Sequence, residues 1–249
     1  MPLQNQPSDL QVAATYPTAD LGYIHPVQDL KTVPFGIGAA SPYYTFEYVV
    51  IKRIFDISVV LLFSPLILLF VATLCLLVAL SSPGPIFFSH RRIRRGGAFF
   101  SMWKFRTMCV NSAEVLERHL TLHPEYRKEW DLNHKLKSDP RVNSIGRLLR
   151  RFSLDELPQI WNVLTGRMSL VGPRPIVAAE VEKYAENFAY YTAVTPGITG
   201  LWQASGRSTL SYDERVALDR YYVENWSLWL DLKILFRTIR CVVNSDGAY

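Results

Sequence analysis

Asp155 and Glu156 stand side by side in Arg150-Arg-Phe-Ser-Leu-Asp-Glu-Leu-Pro-Gln159, between a basic pair and an apolar run that ends at Gly166. Neighbouring residues on a helix diverge by about 100°, so two such carboxylates rarely share one task. One suits a nucleophile on phosphorus and the other a ligand for Mg²⁺, which takes one or two carboxylates together with substrate phosphates. Arg147, Arg150 and Arg151 crowd upstream, and Arg174 follows within Gly172-Pro-Arg-Pro175, where two prolines restrict the backbone. Fixed guanidinium groups recognise phosphate in a bidentate way. The combination points to a phosphorylated, metal-bound substrate. A glycosidase pair, needing carboxylates about 5 Å or more apart, stays open at this point. So does a purely local reading, in which Ser153 and Glu156 form a capping box for the following helix. Alternatively Asp155 is itself the cap, which places Pro158 in the first turn, where proline loses no hydrogen bond.

The elements that must carry these residues follow from patterning. Ile86–His90 and Phe99–Phe105 flank the turn Arg94-Arg-Gly-Gly97 and read as a β-hairpin. Lys104 and Arg106 alternate with Phe105 and are expected to face a shared anion. A helix is expected over residues 111–123, stopped or restarted by Pro124, with His119 and His123 four apart on what reads as a solvated face rather than a zinc site. Asp139-Pro140 marks a turn, and residues 144–151 form a short basic helix. The fold class is α+β, mostly helical.

No charged residue occurs between Ile57 and Leu80. At about 1.5 Å per residue such a run is long enough to cross a hydrocarbon core. Ser64-Pro65 interrupts it, and Lys52 and Arg53 before it match Arg91, Arg92, Arg94 and Arg95 after it. Proline breaks helical bonding, and basic residues on both flanks look cytoplasmic. A re-entrant helix-break-helix over residues 47–81 fits better than a span, a kinked spanning helix being the alternative. Residues 82–249 then form a body expected on the cytoplasmic side. In the last helix Trp226, Trp229, Lys233, Arg237 and Arg240 are expected on one face and Leu228, Leu232, Leu235 and Ile239 on the other. That arrangement suits an interfacial helix, and an ordinary amphipathic one equally. Asp231 falls on the apolar side, where it either pairs with a buried arginine or serves the site.

Across 249 residues the hydrophobic share is 49% and the net charge +5, enough for a sizeable core and suited to anionic partners. No zinc-finger, RNA-recognition or helix-turn-helix pattern is present, so nucleic acid is not expected. Cys75, Cys109 and Cys241 are odd in number and widely spaced, which argues for a reducing compartment without disulfides. Residues 1–46 are Pro-rich, lack the basic and apolar regions of a signal peptide, and read as an irregular tail.

Lys52-Arg-Ile-Phe-Asp56, Ser64-Pro65, Ser82-Pro-Gly-Pro85, Lys104-Phe-Arg-Thr-Met108, Asp139-Pro-Arg-Val142, Ser153–Gln159 and Val171-Gly-Pro-Arg-Pro175 together resemble the bacterial sugar transferases, the monotopic polyprenyl-phosphate phosphoglycosyl transferases. The stretch from Pro196 to Trp202 and Tyr212-Asp-Glu-Arg215 resembles members that prime exopolysaccharide synthesis. The resemblance implies transfer of hexose-1-phosphate from a UDP-hexose to undecaprenyl phosphate at the bacterial inner membrane, with release of UMP. It implies Asp155 as nucleophile, Glu156 as Mg²⁺ ligand, Arg150 and Arg174 on phosphate oxygens, and Lys104 in the same site. It also nudges Asp231 toward the site, and brings membrane lipids and downstream glycosyltransferases as partners, a homo-oligomer being open. The competing readings are a non-catalytic membrane scaffold and a phosphohydrolase.

Overall fold

The computed structural model describes residues 47–133, 136–205 and 210–243; the expected N-terminal tail, residues 1–46, lies outside the described residues. In chain order, a wide helical turn at Glu47–Ile51 leads into α1 (Lys52–Ser81), followed by β1 (Phe87–Ile93), β2 (Phe99–Phe105), α2 (Ser112–Leu122), α3 (Glu125–Asn133) and α4 (Ser144–Arg151). Then come α5 (Gln159–Leu164), β3 (Ser169–Val171), α6 (Val181–Tyr184), α7 (Phe188–Ala193), β4 (Gly197–Thr199), α8 (Tyr212–Glu224) and α9 (Leu228–Val243). The fold is mostly helical. The expected hairpin is present, with β1 antiparallel to β2. A short parallel pairing of β3 with β4 went unforeseen, because each strand is only three residues long and too short for alternation to show.

α1 runs as one helix through Pro65, where the sequence suggested an interruption. The reason is local. Proline at 65 has no N–H for the Leu61 carbonyl four residues earlier, and the Ser64 hydroxyl donates to that carbonyl instead, at 2.7 Å. Along α1, Asp56, Val60, Ser64, Ile67, Val71, Leu74 and Val78 recur at spacings of three and four and form the buried or half-buried stripe. Leu61, Leu62, Leu66, Leu68, Leu69 and Phe70 are exposed. Among the described residues this is the one helix long and apolar enough to cross a membrane.

Both ends of α1 are fastened to the rest of the protein. At its start, the buried Lys52 ammonium donates to Asp231 Oδ2 of α9 at 2.6 Å, and the Arg53 guanidinium donates to the carbonyls of Val163 and Leu164 that end α5. Asp56 accepts from the Leu170 amide of β3 at 3.2 Å. At its finish, Leu74 and Val78 pack with Phe105 and Leu149, and the Asn143 side-chain amide donates to Ser81 Oγ at 3.2 Å. Arg106 then holds the exit, donating to the carbonyls of Ser82 at 2.6 Å and Pro83 at 3.0 Å.

α9 departs from the expected facing in two places. Trp226, just ahead of the helix, is buried, and its indole N–H donates to Asp231 Oδ2 at 3.1 Å. Ile239 is exposed together with Trp229 and Phe236, while Lys233 lies over the Trp229 ring at 5.6 Å. The buried side of α9 is set by Asp231 and Ile234, both fully buried, which turns Ile239 outward.

Candidate active site

Three local choices of the chain position the carboxylates. The Asn143 side chain caps α4 by accepting from the Gly146 amide at 2.6 Å. Directly after α4, Ser153 takes a left-handed conformation with φ 55°, which reverses the chain into a tight turn at Leu154–Glu156. Pro158 then precedes α5 at a position that needs no donor. Asn162, fully buried on α5, fixes the whole segment against β2: its Oδ1 accepts from the Trp103 amide at 3.1 Å and its Nδ2 donates to the Ser101 carbonyl at 2.9 Å. The capping box expected at Ser153 does not form. The Ser153 side chain makes no capping bond, and the Glu156 amide donates to the Ser153 carbonyl at 3.2 Å. Left-handed Ser153 aims its hydroxyl elsewhere, and the Glu156 carboxylate is drawn to cations rather than back to the turn.

Those cations are Lys104 and Arg174. Lys104 Nζ lies 2.7 Å from Glu156 Oε1 and 3.5 Å from Asp155 Oδ2, and Arg174 Nη2 lies 3.4 Å from the same Glu156 oxygen. Burial alone would raise Glu156, but Arg174 and Lys104 outweigh it and hold the carboxyl at about 2. Burial pushes Asp155 above the ordinary aspartate range; Lys104 and Arg150 draw it down only in part, against the charge of Glu156. Two adjacent carboxyl groups thus sit in opposed electrostatic states. The Asp155 carboxylate is therefore the more basic of the two, and Glu156 is anionic near neutral pH.

Arg174 reaches the cluster from the loop after β3. The Gly197 amide donates to the Pro173 carbonyl at 2.9 Å, and the Ile176 amide donates to the Tyr191 hydroxyl at 3.2 Å. Arg92 of β1 donates to the Pro175 carbonyl at 3.2 Å and pairs with Glu180 at 3.6 Å. Arg150 flanks the other side of Asp155, its Nε donating to Thr107 Oγ1 at 2.9 Å. Beside it Arg141 grips Asp139 through two nitrogens and lies over the Trp130 ring at 5.0 Å.

The structure therefore brings together Lys104, Asp155, Glu156 and Arg174, with Arg150 alongside. Asp231 is elsewhere. It accepts from Lys52, from the Tyr222 hydroxyl at 2.8 Å and from Trp226, so it ties α9 to the start of α1; the buried partner is a lysine, not the arginine expected. Arg106 is spent on Ser82 and Pro83 and does not share an anion with Lys104. Arg147 donates to the Val142 carbonyl at 2.8 Å, and Arg151 lies against Phe152. Ser64 and Pro65 lie within α1 as described. Arg92, Thr107, Asp139 and Arg141 were not singled out. Strand parity was the available signal for Arg92: it is two residues along from His90 and four from Phe88, which faces Lys104, whereas Arg91 turns to the opposite face over Phe99 at 4.7 Å.

Among the described residues no three His, Cys, Asp or Glu side chains gather as a metal cage. His119 and His123 stack their rings at 4.8 Å, and His119 packs on Tyr126 at 5.0 Å. The donor set at Glu156 nonetheless fits a hard cation completed by substrate: Oε1 takes both protein cations, and the described residues leave Oε2 without a hydrogen bond.

The sequence profile of the bacterial sugar transferases matches residues 47–245, spanning every residue of this cluster. The chain belongs to the bacterial sugar transferase family. Among its relatives in the family, a UDP-galactose-lipid carrier transferase of Erwinia amylovora is 51% identical over 80% of this chain and 42% of its own length. An undecaprenyl-phosphate galactose phosphotransferase of Salmonella typhimurium is 52% identical over 67% of this chain and 35% of its own. The exopolysaccharide production protein ExoY of Rhizobium meliloti is 48% identical over 80% of this chain and 88% of its own. The chain thus spans less than half the length of the first two of these sugar transferases and most of the third.

Proposed function

We propose that this protein transfers hexose-1-phosphate from a UDP-hexose, glucose or galactose, to undecaprenyl phosphate, releasing UMP, as the first membrane step of exopolysaccharide synthesis. The observation that carries the reading is geometric: Lys104 lies 2.7 Å from Glu156 and 3.5 Å from Asp155, and Arg174 lies 3.4 Å from Glu156, so two adjacent carboxylates share one cationic cluster. An Asp155 oxygen attacks the sugar-bearing β-phosphorus, and the bond from that phosphorus to the bridging oxygen breaks, so UMP leaves with the electron pair. The resulting aspartyl phosphosugar is attacked at the same phosphorus by a phosphate oxygen of undecaprenyl phosphate, and the carboxylate is regenerated. No net proton is consumed, and one difficult transfer becomes two. Lys104, Arg174 and Arg150 hold the phosphate oxygens and offset charge that builds in each step. Glu156, with its open oxygen, would hold Mg²⁺, which when bound supplies further charge neutralisation at the diphosphate. Two relatives named as a UDP-galactose-lipid carrier transferase and an undecaprenyl-phosphate galactose phosphotransferase agree with this chemistry.

The attachment of both ends of α1 to one body supports a helix that enters and leaves the bilayer on the same, cytoplasmic side of the bacterial inner membrane. A straight helix of this length is about 45 Å long, and a span would carry its far end across the membrane from the residues that Leu74 and Val78 pack on. Exposed Trp229, Phe236 and Lys233 of α9 suit the headgroup layer beside it.

The test is UMP release by the purified protein with a panel of UDP-sugars, undecaprenyl phosphate and Mg²⁺, alongside transfer of labelled sugar phosphate to lipid. UMP with labelled lipid is the expected result. Free sugar phosphate in place of labelled lipid would indicate a phosphohydrolase, and no turnover of any UDP-sugar a scaffold.

A further inference from the structure

β1 carries a side chain on the site face that the phosphate chemistry above leaves unused. Side chains alternate along a strand, so Phe88, His90 and Arg92 share one face of β1, opposite Lys104, Met102 and Phe100 of β2. Lys104 and Arg92 are both engaged at the site, the first with Glu156 and the second with the Arg174 loop. His90 stands between them. Its diagonal neighbour across the hairpin is Lys104, a relation that sets β-carbons about 7–8 Å apart, within reach of long side chains. The residue directly opposite, Met102, is buried, whereas His90 is exposed. Its ring lies 6.3 Å from that of Phe88, and among the described residues its imidazole has no hydrogen-bond partner.

Arg92 and Lys104 act on His90 with the Glu180 carboxylate opposing them, and phosphate oxygens are already provided for by Lys104, Arg174 and Arg150. Partial burial, helped by Arg92 and Lys104, keeps the imidazole below the ordinary histidine range and hence neutral at cytoplasmic pH. A neutral imidazole offers one donor and one acceptor, which is what a sugar hydroxyl asks for. In a UDP-hexose the hexose is attached directly to the phosphorus under attack, while ribose and uracil lie beyond the second phosphate. Exposed Phe88 beside it offers a flat apolar surface to the C–H face of a pyranose.

We propose that His90 is a sugar-binding residue that hydrogen-bonds a hydroxyl of the hexose on the phosphorus attacked by Asp155, and that it sets the preference between hexoses differing at one hydroxyl. This rests on the transferase reading. A site that hydrogen-bonds a substrate hydroxyl discriminates against sugars that misplace it.

The experiment measures UMP release by the full-length protein in nanodiscs with undecaprenyl phosphate and Mg²⁺, comparing UDP-glucose with UDP-galactose for wild type, His90→Ala and His90→Gln. For His90→Ala, KM for the preferred sugar is expected to rise about tenfold, the scale of one lost neutral hydrogen bond, with kcat held and the kcat/KM ratio between the two sugars falling several-fold. His90→Gln, which keeps a donor and an acceptor and serves also if the alanine variant does not fold, should retain part of that ratio. An unchanged ratio in both variants, or an equal fall in kcat for both sugars, overturns the proposal while leaving the transferase reading intact. A wild-type protein that releases no UMP from either sugar overturns both.

Discussion

Lys52 Nζ and Asp231 Oδ2 lie 2.6 Å apart, with the side chains 4% and 0% exposed, and this ion pair joins the first residue of α1 to the first turn of α9. Removing one member of such a pair strands the other charge. Asp231→Asn is expected to destabilise the protein by about 3–5 kcal/mol, read as a lowered midpoint of denaturant unfolding in detergent. Removing both charges, as Lys52→Met with Asp231→Asn, should recover part of that loss, because the asparagine oxygen can still accept from Tyr222 or Trp226. UMP release per folded molecule should survive, because Asp231 is not among the residues around Asp155.

Asp155→Asn should lower UMP release at least about a thousandfold, the scale seen when a catalytic nucleophile is removed. In the proposed mechanism transfer needs the Asp155 carboxylate, so the rate is expected to fall as pH drops through its raised value. Lys104 is a cation that draws that value down. In Lys104→Met the acid limb of the pH–rate profile should therefore move to higher pH. An acid limb that stays in place would remove Asp155 as the titrating group.

The Ser64 hydroxyl stands in for the N–H that Pro65 lacks. Ser64→Ala alone orphans the Leu61 carbonyl and is expected to cost about 1–3 kcal/mol, read as a lower thermal midpoint in nanodiscs. With Pro65→Ala present, an amide again reaches Leu61 and the serine becomes dispensable. The double variant should be more stable than Ser64→Ala, and strictly additive losses would dismiss the substitution of one donor for the other.

Asp219 is buried and receives the Tyr184 hydroxyl at 2.7 Å, and burial raises its carboxyl from 3.8 to about 7. Between those values the native protein binds a proton that the unfolded chain does not. Stability therefore falls as pH rises across this window, and is flat in this respect below it. Asp219→Asn should be stabilised relative to wild type at about pH 8 and much less at about pH 5, by thermal unfolding at both. Glu156 runs the other way: held at about 2 against an ordinary 4.5, it contributes stability above 4.5 that is lost as pH falls toward 2.

The long apolar helix, the hairpin and the basic helix α4 were legible because each has an uninterrupted pattern of its own. Asp155, Glu156 and Arg174 were legible as a group from their charge and the rigid Pro-Arg-Pro loop, whereas Lys104 joined them only through the family resemblance. What was not legible depends on three-dimensional partners. Ser153 and Glu156 satisfy the spacing of a capping box, but a left-handed Ser153 and two distant cations decide otherwise. Arg106 and Lys104 look alike in the chain; only the path of the Ser82–Pro83 exit separates their tasks. Asp231 looked misplaced on an apolar face until Lys52 arrived from the far end of the sequence.

That last separation has a bearing on how the protein is made. Lys52 and Asp231 are 179 residues apart in the chain, and at about 5–20 residues per second a ribosome needs about 10–40 seconds to supply the second after the first. The apolar helix is thus exposed, and open to capture by lipid or by chaperones, well before the α9 carboxylate that receives its leading lysine is made. A nascent chain halted short of α9 would hold a membrane-seeking helix whose first lysine lacks its α9 partner and has Asp56, one turn on, as its nearby carboxylate.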